Sequence, residues 1–307
     1  MIRDLPDPAP GPGQILIRQV AVGVNFLDVY HRIGLYKVTL PLILGQEGAG
    51  TVEAVGSGVK SPHVGDRVTY ANVPGTYAGL VAIAADRAVI VPSKVSFEQA
   101  AAVMLQGMTA HYLVFDTCPL AKGDVVLVHA AAGGVGLLLV QTARMRGATV
   151  IATVSTREKA DLASVAGASH VILYSEQDFL HEVKRLTGGK GVRAVFDSVG
   201  KDTFMKSLDC LSPRGMLVSF GQSSGKAEGL DPLMLSARGS LYLTRPVLGH
   251  YIPDTASLRK RAGDVLGWVG SGRLKVRIGA TFPLADAPEA HRQLEARKTT
   301  GKVILTL

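Results

Sequence analysis

Cysteine is scarce in this chain of 307 residues, which contains only Cys118 and Cys210. The two lie far apart and no CxxC pair occurs, so the sequence offers neither a zinc knuckle nor a disulfide framework. We interpret both as reduced, partly buried thiols. Cysteine chemistry is therefore not expected to carry the function.

Long apolar runs are also missing. No stretch reaches the roughly 18 apolar residues that a membrane-spanning helix needs. The opening MIRDLPDPAP lacks the apolar core of a signal peptide. The sequence therefore favours a cytoplasmic location. Hydrophobic residues make up 47% and charged residues 19% of the chain, which is typical of packed domains and argues against disorder.

Acidic residues are outnumbered, and the net charge is +8. Such an excess can serve nucleic acid, a membrane surface or an anionic ligand. The basic residues are scattered, and the densest run, residues 259–261, reads as a solvated helix face. No RNP-like motif or interleaved aromatic stretch supports RNA binding.

Two hydrophobic patterns divide the chain. The first third reads as short strands joined by glycine-rich turns, which predicts a small, twisted, mostly antiparallel body. A helix is predicted over 97–115, and strands then alternate with helices as far as residue 221. Short apolar strands between helices favour a parallel sheet covered on both faces.

The tail returns to a mixed pattern. We predict helices over 254–270 and 287–297, and strands over 274–283 and 302–307. The last strand is expected to pair back into the first sheet. The fold class is therefore α/β, with a doubly wound parallel sheet and a second, β-rich domain built from both parts of the chain that flank it.

The segment VVLVHAAAGGVG, residues 125–136, is the most informative motif. It reads as a strand, a glycine turn and a helix, with Ala131, Gly133 and Gly136 at the three positions of G-x-G-x-x-G. The second glycine admits a pyrophosphate, and the third allows close packing of helix on strand. Backbone N–H groups at the helix start, including Gly134 and Val135, would face the phosphates. Because the flanking elements fit, we interpret this as a dinucleotide site.

The end of the next strand indicates which dinucleotide binds. An NAD-selective fold usually has Asp or Glu there, to bind the ribose 2′-hydroxyl. This chain instead has Ser155, followed by two cations, Arg157 and Lys159, with Glu158 between them. A 2′-phosphate would be attracted to this segment, so the sequence favours NADPH. The alternative is that both cations are ordinary helix-surface residues.

At this point the chain resembles the zinc-free quinone oxidoreductases of the medium-chain dehydrogenase/reductase superfamily, the group that includes zeta-crystallin. The matching stretches cover nearly the whole chain: GVNFLDVYHRIGLY (23–36), LGQEGAGTVEAVGSGV (44–59), VGDRVTY (64–70), HAAAGGVG (129–136), DSVG (197–200) and SLYLTRP (240–246).

The resemblance implies a domain layout and an assembly. It implies a GroES-like catalytic domain formed by residues 1–104 and 247–307, around a Rossmann domain of residues 105–246. Members of the family commonly form homodimers through the Rossmann sheet edge, which makes SLYLTRP a candidate interface strand. Members also carry an extra strand before the segment matching LPDPAPGPGQ. Here either the start codon is placed late or that strand is absent, which would leave a sheet edge unpaired.

Zinc ligands are the clearest departure from the zinc-dependent relatives. Those proteins hold a catalytic metal with Cys and His, and the resemblance aligns the ligand positions with Asn25, Gln46 and Gln106. Amides are poor zinc ligands, so no metal is expected. Without a Lewis acid, the reduction of saturated carbonyls loses a term worth several kcal/mol. Quinones and conjugated enones need less polarisation, and positioning and hydrogen bonding can suffice.

The resemblance also implies roles for individual residues. Asn25 and Thr109 would lie near the nicotinamide ribose. Tyr30 and Tyr36 would line the substrate pocket, and one could donate a proton, although each could equally be a packing residue. Asp28 reads as a structural hydrogen-bonding group. The remaining cofactor contacts would be Ser155, Lys159, Tyr174 and Arg297 near the 2′-phosphate, and Phe220, Gly221, Thr244 and Arg245 near the nicotinamide half.

One match is discarded. GQSSG, residues 221–225, fits the G-x-S-x-G nucleophile elbow of hydrolases, but that motif needs a helix directly after the serine. The following KAEGLDP is turn-like, so we interpret the segment as a loop. The favoured function is NADPH-dependent quinone reduction. The alternatives are reduction of enones or alkenals, and a non-enzymatic role in nucleotide or RNA binding.

Overall fold

A computed structural model describes residues 3–307. The chain forms two compact units, of which unit 1 comprises Met1–Met108 and Tyr251–Leu307, and unit 2 comprises Thr109–His250. Each boundary lies four residues later than the domain boundary predicted from the sequence. The assignment of catalysis to one unit and cofactor binding to the other remains a prediction.

The first part of unit 1 is rich in strands. Its elements are β1 (Gln14–Val24), α1 (Phe26–Arg32), β2 (Glu47–Val55), β3 (Arg67–Ala71), β4 (Leu80–Ala84), β5 (Val89–Ile90) and α2 (Phe97–Tyr112). The last four residues of α2 belong to unit 2, and a wider turn of helix, Leu113–Thr117, follows.

Unit 2 alternates strands and helices. Its elements are β6 (Val125–Val128), α3 (Gly134–Met145), β7 (Thr149–Val154), α4 (Arg157–Ala166), β8 (His170–Leu173), α5 (Phe179–Leu186), β9 (Val192–Asp197), α6 (Phe204–Asp209), β10 (Leu211–Ser219), α7 (Leu233–Ala237) and β11 (Tyr242–Thr244). Unit 1 then resumes with α8 (Thr255–Gly270), β12 (Ile278–Pro283), α9 (Ala287–Glu295) and β13 (Lys302–Thr306).

Strand β1 is the centre of the seven-stranded sheet of unit 1. It pairs antiparallel with β2, β4 and β13, and the sheet order is β12-β13-β1-β2-β3-β5. Side chains of β1 alternate across the sheet, and its inward residues Ile15 and Ile17 pack in one core with Val52 and Tyr70. The prediction that the final strand returns to the first sheet is confirmed, since Gly23 lies opposite Ile304.

The sheet of unit 2 is entirely parallel, with six strands in the order β11-β10-β9-β6-β7-β8. From the middle of the sheet, β6, β7 and β8 follow one another towards one edge, and β9, β10 and β11 follow one another towards the opposite edge. This is the doubly wound order of the Rossmann fold, which binds its ligand beyond the carboxyl ends of the strands where the order reverses. The predicted fold class is confirmed, and the reversal lies at β6, directly before the glycine turn.

Two local features differ from the sequence prediction. Helix α1 was not predicted, and it begins because Asn25 is an extended N-cap whose N–H donates to Oδ2 of Asp28 at 2.8 Å. The strand predicted over 274–283 starts only at Ile278, where pairing with Lys302 begins.

Candidate cofactor and catalytic sites

The glycine turn of unit 2 is tightly built. Ala130 follows β6 with a left-handed φ of 49°, and its carbonyl accepts the N–H of Gly133 at 2.9 Å. A Cβ on Gly136 would lie 2.3 Å from that same carbonyl oxygen and 2.8 Å from Ala131. Only glycine fits there, which is the close approach of helix to strand that the motif predicts.

The first turn of α3 suits a phosphate group. Gly133 is its N-cap, and neither an acidic residue nor a side-chain cap occupies this end of the helix. Gly133, Gly134 and Val135 are all half-buried, whereas residues 136–140, which follow them, are buried. Unpaired N–H groups and the positive end of the helix dipole together form an anion site. These residues fit the diphosphate of a dinucleotide.

A buried histidine supports the strand that leads into the turn. His129 lies 2.8 Å from Thr153 Oγ1 through Nδ1 and 3.0 Å from Ser207 Oγ through Nε2. Burial lowers the pKa of His129 from its ordinary value, against the opposing charge of Asp197. The neutral ring therefore joins β6, β7 and α6 behind the glycine turn.

The predicted 2′-phosphate residues lie at the carboxyl ends of β7 and β8. Lys159 Nζ is 3.4 Å from Ser155 Oγ, and Tyr174, which is 43% exposed, donates its N–H to Val154. The cation Arg157 is 84% exposed in its side chain and lies 3.8 Å from Glu176. The two cations of the segment are therefore not equivalent, since Lys159 is the one drawn towards Ser155.

The residues predicted for the nicotinamide half follow the next strands. Phe220 and Gly221 come directly after β10. Thr244 is the last residue of β11, and Arg245 follows it. The Arg245 guanidinium donates to the carbonyls of Ser219 and Gly221 at 3.0 and 2.7 Å. It thereby ties these two strand ends together. The predicted loop after β10 is confirmed, because the next helix, α7, begins only at residue 233.

Thr109 and Arg297 are placed separately. Thr109 is a buried residue of α2 within unit 2. Arg297 belongs to unit 1, is exposed, and follows α9 with a left-handed φ of 58°. Their roles at the cofactor remain predictions.

Unit 1 contains a buried polar cluster around Asn25. Lys302 Nζ lies 2.5 Å from Glu47 Oε1 and 2.8 Å from Asn25 Oδ1. Asn25 Nδ2 donates to Glu47 Oε1 at 2.7 Å. The side chains of Lys302 and Glu47 are only 2% and 0% exposed. A buried pair of opposite charges is tolerated only when its hydrogen bonds are satisfied. Asn25 supplies one hydrogen bond to each partner, as an acceptor for Lys302 and as a donor to Glu47.

The positions aligned with zinc ligands meet in this cluster only in part. Gln106 Nε2 donates to Asn25 Oδ1 at 3.1 Å, while Gln106 Oε1 is buried without a hydrogen-bond partner. Gln46 is buried, and its backbone carbonyl accepts the N–H of Val73. Within residues 3–307 no group of three or more His, Cys, Asp or Glu is placed to hold a metal ion.

A chain of hydrogen bonds leads away from Asn25 through Asp28. The Tyr77 hydroxyl donates to Asp28 Oδ2 at 3.0 Å and lies 3.1 Å from His291 Nε2. Arg32 approaches His291 Nδ1 at 3.3 Å. Because the guanidinium can only donate, Nδ1 accepts and the Nε2–H faces Tyr77.

Burial shifts the pKa values of Asp28 and His291, the two groups that flank Tyr77. Desolvation raises the pKa of Asp28 to about 7, against the hydrogen bonds from Asn25 and Tyr77. Desolvation also lowers the pKa of His291 to about 4. Asp28 Oδ1 is buried without a partner, which suits a protonated carboxyl better than a carboxylate. Asp28 thus has the structural role predicted for it in holding the start of α1.

The two predicted pocket tyrosines contact each other. The ring centroids of Tyr30 and Tyr36 are 5.3 Å apart, with the ring planes inclined at 63° in an edge-to-face contact, and the N–H of Tyr36 donates to the carbonyl of Tyr30. Tyr30 is 8% exposed and Tyr36 is half-buried. The turn after α1 therefore brings the pair together, and their part in substrate binding remains a prediction.

Sequence reasoning missed Glu47, Lys302, Tyr77 and His291. Glu47 directly follows Gln46, one of the aligned ligand positions, and Lys302 opens the final strand. A charged residue at the start of a predicted buried strand was the available signal, because such a charge needs a partner.

Comparison with known proteins agrees with this description. Residues 11–122 match the family described as alcohol dehydrogenase GroES-like domain, and residues 134–260 match that described as zinc-binding dehydrogenase. A quinone oxidoreductase from Pseudomonas aeruginosa is 48% identical over 99% of this chain and 94% of its own length. A 2-haloacrylate reductase from Burkholderia is 44% identical over 97% of this chain and 92% of its own.

A solved structure is similar over the same span. The Escherichia coli quinone oxidoreductase complexed with NADPH superposes with a TM-score of 0.97 at 45% identity, covering 99% of this chain and 95% of that one. The Rossmann order, the glycine turn and these likenesses define an oxidoreductase of the dinucleotide-binding class. The chain belongs to the quinone oxidoreductase family of the medium-chain dehydrogenase/reductase superfamily.

Proposed function

We propose that this protein reduces quinones with NADPH by direct hydride transfer and without a metal ion. Two observations in unit 2 together carry the proposal. The glycine turn admits a diphosphate, and Lys159 lies beside Ser155. The similar E. coli protein is a quinone oxidoreductase complexed with NADPH, which supports the same reading.

The reaction balances as a two-electron reduction. Bound NADPH supplies a hydride, and the quinone takes up that hydride and one proton to become a hydroquinone. The residues of this chain bind, orient and exclude water, which can supply much of the rate acceleration. Tyr30 and Tyr36 carry the hydroxyls that we assign to the quinone oxygens, where one of them donates the proton.

Cofactor choice is assigned to Lys159. A charge-assisted hydrogen bond to the 2′-phosphate contributes about 1.5–3 kcal/mol. We therefore expect Lys159→Ala to weaken NADPH binding roughly 10- to 150-fold and to leave NADH binding unchanged. Both affinities are measured by titrating the fluorescence of the reduced nicotinamide.

A matched control removes one cation elsewhere in unit 2. Arg185 lies on α5 and pairs with Glu182, so Arg185→Ala should alter neither affinity. An Lys159→Ala protein with an undiminished preference for NADPH would show that the phosphate site is misplaced. If the wild-type protein oxidises NADPH with no member of a quinone panel, the proposed activity is wrong.

A second candidate function is reduction of conjugated, electron-poor alkenes. The 44% identity to a 2-haloacrylate reductase favours it, and it uses the same cofactor residues. Quinones and conjugated enals or haloacrylates are compared under identical conditions, with the ratio of their kcat/KM values as the readout. A preference for the alkenes would replace the first candidate.

Assembly and location follow as further proposals. Strand β11 is an outer strand of the unit 2 sheet, and its Tyr242 is 52% exposed. We assign it to the interface of a homodimer. No helix in residues 3–307 has the length and apolar character needed to cross a membrane. We assign the protein to the cytoplasm, where NADPH is available.

A further inference from the structure

The amide of Asn25 is held in one orientation by its neighbours. Its Oδ1 accepts from Lys302 Nζ at 2.8 Å and from Gln106 Nε2 at 3.1 Å, which fills both lone pairs. Its Nδ2 donates one hydrogen to Glu47 at 2.7 Å.

The opposite orientation would reverse every contact. Nδ2 would then face the ammonium of Lys302 and the donor group of Gln106, while Oδ1 would face the carboxylate of Glu47. Asn25 is only 4% exposed, so water could not relieve these repulsions. An amide that is otherwise free to rotate is therefore fixed by a pair of opposite charges.

The carboxylate of Glu47 is itself placed by the backbone. Its Oε2 accepts the N–H of Leu105 in α2 at 2.6 Å. A Cβ on Gly23 would lie 2.3 Å from Oε1, so the bare backbone of β1 makes room for this oxygen. Three elements of unit 1, namely β1, α2 and β13, thus meet at one carboxylate.

We propose that Glu47 and Lys302 are positioning residues that hold the Asn25 amide so that its second Nδ2 hydrogen meets an acceptor oxygen of bound NADPH. This rests on the proposed function and on the place near the nicotinamide ribose that the family resemblance implies for Asn25. Both hydrogen-bonding sites of Oδ1 are taken, so Asn25 can offer the cofactor only a donor. The preferred partner is then a hydroxyl or carbonyl oxygen.

The test replaces the charged pair by a neutral one. Removing both charges of a buried pair is often tolerated by the fold, whereas removing one leaves an uncompensated charge. The variant E47Q/K302M is therefore compared with Asn25→Ala and with the triple variant. Circular dichroism and the thermal midpoint verify the fold, and the Kd for NADPH is measured by nicotinamide fluorescence.

We expect E47Q/K302M and Asn25→Ala each to raise the Kd about tenfold, the worth of one hydrogen bond. The triple variant should bind NADPH no more weakly than E47Q/K302M or Asn25→Ala does, because Glu47 and Lys302 act only through Asn25. An unchanged Kd in E47Q/K302M, or effects that multiply in the triple variant, would overturn the proposal. Lys302→Arg, which keeps the charge, should bind NADPH nearly as the wild type does.

Two further proteins sharpen the result. The exposed pair Arg18–Glu53 joins the same strands β1 and β2, and R18M/E53Q should leave the Kd unchanged. Gly23→Ala displaces the Glu47 carboxylate without altering any charge and should weaken NADPH binding as the double variant does. A wild type that binds NADPH but reduces no quinone would refute the proposed activity alone, and the binding comparison would still decide the role of the pair.

Discussion

Replacing His291 with Gln should expose a pH dependence of stability that the wild-type protein conceals. Asp28 and His291 lie at the two sides of Tyr77, and their pKa values are displaced in opposite directions. Other charged groups also act on these two residues: Glu47 and Lys302 on Asp28, and Arg32 and Glu295 on His291.

The signs follow from proton linkage. The pKa of Asp28 rises from 3.8 to about 7 on folding, so its contribution is fully present below 3.8 and is lost as the pH rises towards 7. The pKa of His291 falls from 6.5 to about 4, so its contribution is present above 6.5 and is lost as the pH falls. The two windows overlap almost completely, and the opposing slopes offset each other.

The size of the Asp28 effect follows from its displacement. Each pH unit within the window changes the free energy of unfolding by up to about 1.4 kcal/mol. Between about pH 5 and pH 6.5 the loss amounts to about 2 kcal/mol. In a protein of 307 residues that corresponds to a fall of about 3 °C in the thermal midpoint. Gln at position 291 can still accept from Arg32 and donate to Tyr77, so the packing is disturbed little.

Thermal unfolding followed by circular dichroism at the two pH values provides the assay. His291→Gln should lose stability as the pH rises, Asp28→Asn should gain it, and the variant with both changes should be insensitive. If His291→Gln and the double variant showed the same slope, Asp28 would not be the titrating group and the reasoning would fail.

Three other predictions concern the two units and their assembly. Gly136→Ala should destabilise the protein by about 1–3 kcal/mol and abolish NADPH binding, because its Cβ would lie 2.3 Å from the Ala130 carbonyl oxygen; chemical denaturation and fluorescence titration measure the two effects. Lys302→Met alone should cost about 3–5 kcal/mol of unfolding free energy, and a second change of Glu47 to Gln should restore most of it; a single variant as stable as the double would contradict this. Tyr242→Asp should convert the proposed dimer into a monomer in sedimentation experiments, and a sedimentation coefficient equal to that of the wild type would remove β11 from the interface.

Much of unit 2 could be predicted because its information is local. The strand over 149–154 and the helix that follows the glycine turn were predicted within a residue or two, since apolar runs, glycine punctuation and helix length all agree there. The third glycine of the motif, Gly136, predicts a close contact with Ala130, which is only six residues earlier in the chain. Local signals of this kind need no knowledge of the partner.

Unit 1 was less predictable because its key contacts are distant in sequence. Lys302 and Glu47 are separated by 255 residues, and nothing in the neighbourhood of either names the other. Helix α1 was missed because its start depends on Asp28 capping the backbone of Asn25, while its residues show no strong helical period. The order of the last four strands and helices could be predicted, but not that a charge on the final strand would complete the cluster around Asn25.

The placement of β13 has a consequence for how the molecule is made. This strand lies between β12 and β1, so the sheet of unit 1 has a gap in its interior until residues 302–306 have been synthesised. Unit 2 is contiguous and has all its strands by residue 244, so it can fold while the chain is still growing. Unit 2 can therefore be complete on the ribosome before Lys302, the cation that donates to Asn25, has been synthesised. A nascent chain that still lacks β13 can contain a folded glycine turn while the sheet of unit 1 is open.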